Sequence, residues 1–470
     1  MGAISAIPKN LGFLFLICFL IFMKGCGSQG FNGNPGEEFS AVIGQEIKLF
    51  RSDGQPFQEP LLINLLDNEG GFFLISHYFS GLDLAFRVPP GISTGSANVQ
   101  IHDGSGVQFE TELKVKRLGV LANRGGDNLK LFNVDQPNEY QNFSLQTVQG
   151  VPEDVSISKD GRFAQVALSN PPGLLTLDLT QVPPMIVSDL FDVEELPSSI
   201  AISKDINLAF VANYGSNNQT GNTVELFVLD SEGKILDNFT SLIIGNPNDT
   251  IISKPYGIAL FEDVDQGIAE AWVTIRNIGE PYEMAKINYW ECLVFVFEGC
   301  AVVENFNLDT PIPELSGIAI HPQGEYGLIA RYDNDRVGIF PTEFGGGTVP
   351  IEWLSLDSLF GFGQYRPISV LITPDGNTAY VLNELNDSLV VFDLSQGIED
   401  IIPHEEFPLV ALSGEKPRKM ALSKRGKEVW ISFHDSNEIQ KVTFTLDQAV
   451  VSGPLPINGI NEPGGIAIQP

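Results

Sequence analysis

One short word recurs seven times in this chain and limits what it can fold into. It reads PEDVSIS from Pro152, PSSIAIS from Pro197, PYGIALF from Pro255 and LSGIAIH from Leu315, then PISVLIT from Pro367, PRKMALS from Pro417 and PGGIAIQ from Pro463. The openings lie 45, 58, 60, 52, 50 and 46 residues apart. In every copy the residues three and five places after the opening are apolar, from Val155/Ile157 to Ile466/Ile468. Apolarity of period two is the mark of a strand. A full unit holds about four such runs; the unit from Pro367 shows VLITPDG, TAYVLN, SLVVFDL and a run near Pro408. Four strands at this period predict a β-propeller blade, which buries its faces only by stacking on its neighbours.

The blade count closes at seven. Six units are complete, and the seventh opening stops at Pro470, directly after its first strand. Residues Leu118 to Leu145 supply three strand-like runs that lack a first strand. The C-terminal strand 463–470 is therefore expected to complete the N-terminal blade, which leaves no open sheet edge at the seam. The expected fold class is all-β: a seven-bladed β-propeller over 118–470, preceded by a small Ig-like β-sandwich over 38–117. The sandwich is read from short alternating strands such as Ala97–Ile101 and Phe109–Val115, with turn residues between them.

Ahead of it, Leu11 to Phe22 form an apolar run of 12 residues. That is short of the ~20 needed to span a bilayer, and it suits the apolar core of a secretory signal. Residues 1–25 are read as that signal and 26–37 as a Gly/Ser/Asn-rich flexible tether. An exported chain may carry disulfides, and Cys292 and Cys300 are the two cysteines beyond residue 26. Local geometry argues against a bond between them. LVFVF at 293–297 reads as a strand, which would hold the sulfurs roughly 26 Å apart at ~3.3 Å per residue.

Three resemblances follow from these words. Gly25-Cys26 just past the apolar run resembles the lipobox of bacterial lipoproteins, which implies lipid attachment at Cys26 and a place in the cell envelope. ISKDGRFAQVAL and ITPDGNTAYVLN resemble the YVTN family of seven-bladed propellers; the strand word stands here as VLAN at Val120–Asn123, FVAN at Phe210–Asn213 and YVLN at Tyr380–Asn383. FRVPPGISTGSANVQIHDGSG resembles the IPT/TIG type of Ig-like domain.

Charge narrows the partners. With 27 Lys+Arg against 59 Asp+Glu the net charge is −32. Nucleic acid is not expected as a partner, because a phosphate backbone requires a basic face. Membrane contact is expected only through the lipid anchor. The five histidines (His77, His102, His321, His404 and His434) stand at unrelated repeat positions, so no metal site is expected. No GxSxG, Walker loop or HExxH occurs, and no cofactor is expected. Basic residues do gather on the loops between second and third strands and between blades. The candidate ligand face is Asn123, Arg124, Asn213, Arg276, Arg331, Asn383 and His434, with Lys254, Arg336, Arg366, Lys416 and Arg418 nearby. Such a mouth would attract a protein or a small anionic ligand. The competing reading is that these cations offset carboxylates such as Glu384, Asp387 and Asp435 on the same loops.

No catalytic residue is identified. The expectation is a lipid-anchored envelope protein with a propeller used as a non-enzymatic binding scaffold. Two alternatives stand beside it: a propeller enzyme, lactonase-like or amine-dehydrogenase-like, and a structural surface-layer component.

Overall fold

The computed structural model describes residues 40–49, 61–80, 83–103, 106–215, 222–245, 254–276, 283–293, 300–308, 314–344, 348–361, 363–423, 425–445 and 447–470. The signal, the tether and Cys26 lie outside them. Among the described residues, no helix is long and apolar enough to cross a membrane.

Seven sheets are built from the repeating words. Blade 1 joins Leu118–Asn123, Asn128–Asn133 and Tyr140–Ser144 to the C-terminal strand Pro463–Ile468. That strand runs antiparallel to the first of the three, with Pro463 opposite Asn123 and Ile468 opposite Gly119. Blades 2 to 7 begin with innermost strands Val151–Ile157, Pro197–Ile202, Pro255–Asp263, Leu315–Ile320, Pro367–Ile372 and Pro417–Leu422. Each innermost strand packs on the next, and the last packs on Pro463–Ile468, which packs on blade 2. This closed ring is the expected all-β propeller. Second strands such as Leu208–Asn213 are buried along their whole length, because both faces lie between neighbouring blades.

Every innermost strand is irregular at one place. The register shifts just after the opening residue: Pro152/Asp154, Pro197/Ser199, Pro255/Ile258, Leu315/Ile318, Pro367/Ser369, Pro417/Lys419 and Pro463/Ile466. In six of the seven strands the opening residue is a proline, which cannot donate to the ladder, and the bulge at this point removes the need for its missing N–H. Two residues after the opening, three blades carry Gly257, Gly317 and Gly465. A Cβ on Gly317 would meet Ser369 Cα at 2.5 Å, and one on Gly465 would meet Asp154 Oδ1 at 1.9 Å. Glycine is required there because adjoining inner strands touch.

The N-terminal unit is a two-sheet β-sandwich. One sheet orders Ser40–Val42, Gly106–Lys116, Gly95–Asp103, Leu62–Asp67 and Phe72–Ile75; the other orders Glu46–Leu49, Asp83–Arg87 and His77–Ser80. Ile47, Ile63, Leu65, Leu84, Phe86, Val99, Ile101 and Leu113 fill the space between them. The sandwich rests on the propeller end formed by the turns between first and second and between third and fourth strands, where Arg87 Nη2 meets Glu232 Oε1 at 2.5 Å and Arg425 pairs with Asp67 at 3.6 Å.

The strand expected through Leu293 is corrected. Trp290–Leu293 is a turn of 3₁₀ helix, and Cys292 and Cys300 are disulfide-bonded with their Cα atoms 5.1 Å apart. Residues 294–299 lie outside the described residues.

Candidate functional site

The end of the propeller away from the sandwich is built by one repeated contact. In blades 3 to 7 the residue following the second strand donates its N–H to the carbonyl of the residue preceding the innermost strand. The pairs are Tyr214 to Leu196 (3.0 Å), Arg276 to Lys254 (2.9 Å), Tyr332 to Glu314 (2.9 Å), Glu384 to Arg366 (3.0 Å) and His434 to Lys416 (2.9 Å). Each blade thus lifts two side chains onto the same rim. Blades are laced as well: an Asx oxygen in one hairpin accepts from the backbone of the next blade, Asp335 from Arg366 N (2.6 Å) and Asp387 from Lys416 N (2.7 Å).

On blades 3 to 6 these side chains form a continuous ladder. Lys254 Nζ lies 4.8 Å from the Tyr214 ring centre, and the Tyr214 and Tyr256 rings meet edge to face at 6.0 Å. The Arg276 guanidinium is 5.0 Å from the Tyr256 ring and 4.0 Å from the Tyr332 ring, and Arg366 reaches the Tyr332 ring at 4.8 Å. Arginine over an aromatic face is attracted to the ring quadrupole. Carboxylates complete the ladder. Arg276 pairs with Glu314 at 3.4 Å, Arg366 with Glu384 at 3.7 Å, and Tyr332 Oη donates to Glu384 Oε2 at 3.0 Å.

Burial, followed by the charge of Glu384, holds the Tyr332 phenol above its usual range, against the opposing pull of Arg366 and Arg276. Tyr332 is therefore a protonated donor at neutral pH. Burial works against the charge of Arg276, but Tyr256, Tyr214 and Glu314 outweigh it and its pKa is raised. The arrangement offers a fixed cation, a phenolic acid and two carboxylates within one aromatic-lined rim.

The sequence-derived ligand face divides in two. Asn123, Asn213 and Asn383 are corrected: all three are fully buried and do not face a ligand. Their amides hold the hairpin they terminate, Asn123 to Asn128 (3.1 Å), Asn213 to Thr223 (3.1 Å) and Asn383 to Ser388 (3.0 Å). Arg331 occupies the same register as these asparagines and is held by Asp333 through two bonds of 2.9 and 3.2 Å. Arg124, Arg276 and His434 follow the second strand and do reach the rim. Arg124 pairs with Glu153 at 2.7 Å, and His434 Nδ1 lies 2.6 Å from Asp435, which also meets Lys416 at 3.6 Å. Sequence reasoning missed Tyr214, Tyr256, Tyr332, Glu314 and the role of Glu384. The signal was present: Tyr214 and Glu384 directly follow the asparagine of FVAN and YVLN.

At the axis, Lys419 of blade 7 crosses to Asp154 Oδ2 of blade 2 (3.2 Å) and to the Ser198 carbonyl of blade 3 (3.0 Å). Both charges sit at the bulge position. Among the described residues, no cluster of His, Cys, Asp and Glu is arranged to hold a metal ion.

A family model described as "Lactonase, 7-bladed beta-propeller" matches residues 363–452. No curated protein matches the chain. Among solved structures, a putative 6-phosphogluconolactonase from Bacteroides fragilis aligns with a TM-score of 0.57 at 13% identity, over 75% of this chain and 98% of its own. The periplasmic gluconolactonase of Pseudomonas aeruginosa aligns with a TM-score of 0.56 at 14% identity, over 76% and 99%. A functionally unknown protein from Desulfotomaculum acetoxidans reaches 0.56 at 18% identity, over 75% and 98%. At such identities these likenesses establish the propeller fold. The lactonase match corrects the non-enzymatic scaffold reading and turns the balance to the enzyme alternative, since the matched segment carries Arg366 and Glu384 of the rim ladder.

Proposed function

We propose that this chain is a lactone hydrolase whose active site is the rim ladder around Tyr332. The observation that carries the reading is the position of the lactonase-type segment: residues 363–452 bring Arg366 and Glu384 against Tyr332. Lactone opening needs an attacking water, a stabilised carbonyl oxyanion and a proton for the departing ring oxygen. In this reading Glu384 takes a proton from water, and the resulting hydroxide adds to the carbonyl carbon. Arg276 faces the oxyanion as a preorganised cation. The bond from the carbonyl carbon to the ring oxygen then breaks, and Tyr332 gives that oxygen its proton. Glu384 passes the proton it took from water back to the Tyr332 oxygen across their 3.0 Å hydrogen bond, which restores both groups.

The test is a proton-release assay over a panel of five- and six-membered lactones. Tyr332→Phe should reduce kcat by about 10²-fold or more, the usual weight of a general acid. Failure of the unmodified protein to open any lactone would overturn the proposal.

We also propose export to an oxidising compartment, a reading supported by the Cys292–Cys300 bond. Lipid attachment at Cys26 rests on the Gly25-Cys26 word. The words VLAN, FVAN and YVLN support a YVTN-type propeller, and the Val88-Pro89-Pro90-Gly91 turn ahead of the Gly95–Asp103 strand supports an IPT/TIG-type sandwich.

A further inference from the structure

We infer that the rim takes an uncharged sugar lactone and discriminates against the phosphorylated form of the same lactone; this rests on the lactone-hydrolase reading. The argument is the state of the cations. Arg124, Arg276, Arg331, Arg366 and Lys416 each stand against a carboxylate, at 2.7, 3.4, 2.9, 3.7 and 3.6 Å. A phosphate could recruit Arg276 or Arg366 only by displacing Glu314 or Glu384. Neither carboxylate can retreat far. Glu314 is bridged through its backbone to Arg276, and Glu384 is bonded through its backbone to Arg366. Each would remain beside the incoming dianion, and like charges at such range repel.

Arg336 and Arg418 lack a carboxylate partner among the described residues, but they stand on blades 5 and 7, with blade 6 between them. They do not form the converging pair that holds a phosphate well. The charge of the whole chain, −32, adds repulsion toward any dianion. The rim instead suits a polyhydroxylated ring. The tyrosine rings hold Lys254, Arg276 and Arg366 in place, and the carboxylates beside these cations offer acceptors and donors to adjacent hydroxyls.

The experiment compares kcat/KM of the full-length protein for glucono-1,5-lactone and for its 6-phosphate, at 0.05 and 0.5 M NaCl. The uncharged lactone should be preferred at least about tenfold at low salt, and the preference should narrow at high salt as screening shortens the reach of the charges. Glu314→Gln should narrow it further, through a lower KM for the phosphorylated lactone. Turnover of the phosphorylated lactone equal to or faster than the uncharged one would overturn this inference and leave the hydrolase reading standing. Turnover of neither would overturn both.

Discussion

The side chain of Gln469, one residue from the C-terminus, donates to the carbonyl of Ile43 in the N-terminal sandwich at 3.3 Å. The same Nε2 donates to Gly161 O of blade 2 at 2.6 Å, and Oε1 accepts from Leu118 N of blade 1 at 2.7 Å. The neighbouring Pro470 carbonyl accepts from Gly91 N at 3.1 Å. One buried amide therefore ties the closing strand, the blade it completes, the next blade and the sandwich. Gln469→Ala would leave these groups unpaired at roughly 1–3 kcal/mol for each one that stays buried. The expected loss is about 2–4 kcal/mol, concentrated at the seam. Hydrogen exchange should show amides of Pro463–Ile468 and Leu118–Asn123 opening earlier while Thr378–Asn383 in blade 6 stays protected. Uniform loss across all blades would contradict a seam-specific role.

The pair across the axis makes a second prediction. Lys419→Met leaves Asp154 with two backbone donors, from Val155 (3.0 Å) and Ile200 (3.3 Å), but no cation. Removing one partner of a fully buried pair costs about 3–5 kcal/mol; this pair keeps some solvent contact, so about 1–3 kcal/mol is expected. Adding Asp154→Asn should recover part of the loss, because the stranded charge is gone. Denaturant melts of the single and double variants would measure the coupling, and strictly additive losses would rule it out.

Much of this architecture was legible because strand periodicity and the opening proline are local signals, repeated in chain order. The seam was legible for the same reason: the strands within 118–145 lack an opening word, and the word at Pro463 supplies it. What escaped was direction at strand ends. Asn213 and Tyr214 are neighbours in a word read as one feature, yet Asn213 turns inward to hold its hairpin while Tyr214 faces the rim. The Lys419–Asp154 pair escaped because a bulge changes which residue points to the axis, and no local pattern encodes a contact between blades 2 and 7. The disulfide escaped because apolar residues at 293–297 fit a strand by periodicity alone.

Acid should loosen the sandwich before it harms the ring. Burial alone would raise the pKa of Glu232, but Arg87 and Arg162 outweigh it and hold the carboxylate below its ordinary value of 4.5. A depressed carboxylate contributes stability that is present above its unfolded pKa and is lost as pH falls through the folded one. The sandwich contact should therefore hold at pH 6 and weaken progressively below about 4.5. Glu232→Gln should weaken the contact throughout and shrink its acid response, leaving the part that Asp67, also held below its ordinary value and paired with Arg425, contributes. Exchange of Glu46–Leu49 and Asp83–Arg87 amides at pH 6 and pH 3.5 would report it. An unchanged acid response in Glu232→Gln would show that other groups control the contact.

The disulfide gives the last prediction. Cys292 and Cys300 close a loop with a sequence separation of 8, and both lie buried in the apolar cluster that also holds Ile287, Tyr289 and Ala301. Chain entropy for a loop of that size predicts about 2–3 kcal/mol of stabilisation. Replacing both cysteines by alanine, which avoids a stranded thiol, should lower stability by about that amount, with a further small cost for the lost sulfur contacts. The loss should appear first in blade 4, where Val302–Leu308 pairs with Met284–Asn288. The rim ladder takes Lys254, Tyr256 and Arg276 from this blade, all on or directly beside its first two strands rather than beyond the bridge. Any lactone-opening activity should therefore survive reduction at temperatures well below the melt. If a reductant abolished activity while the melting temperature stayed constant, the bond would have to act on the site directly, and a purely stabilising role would be refuted.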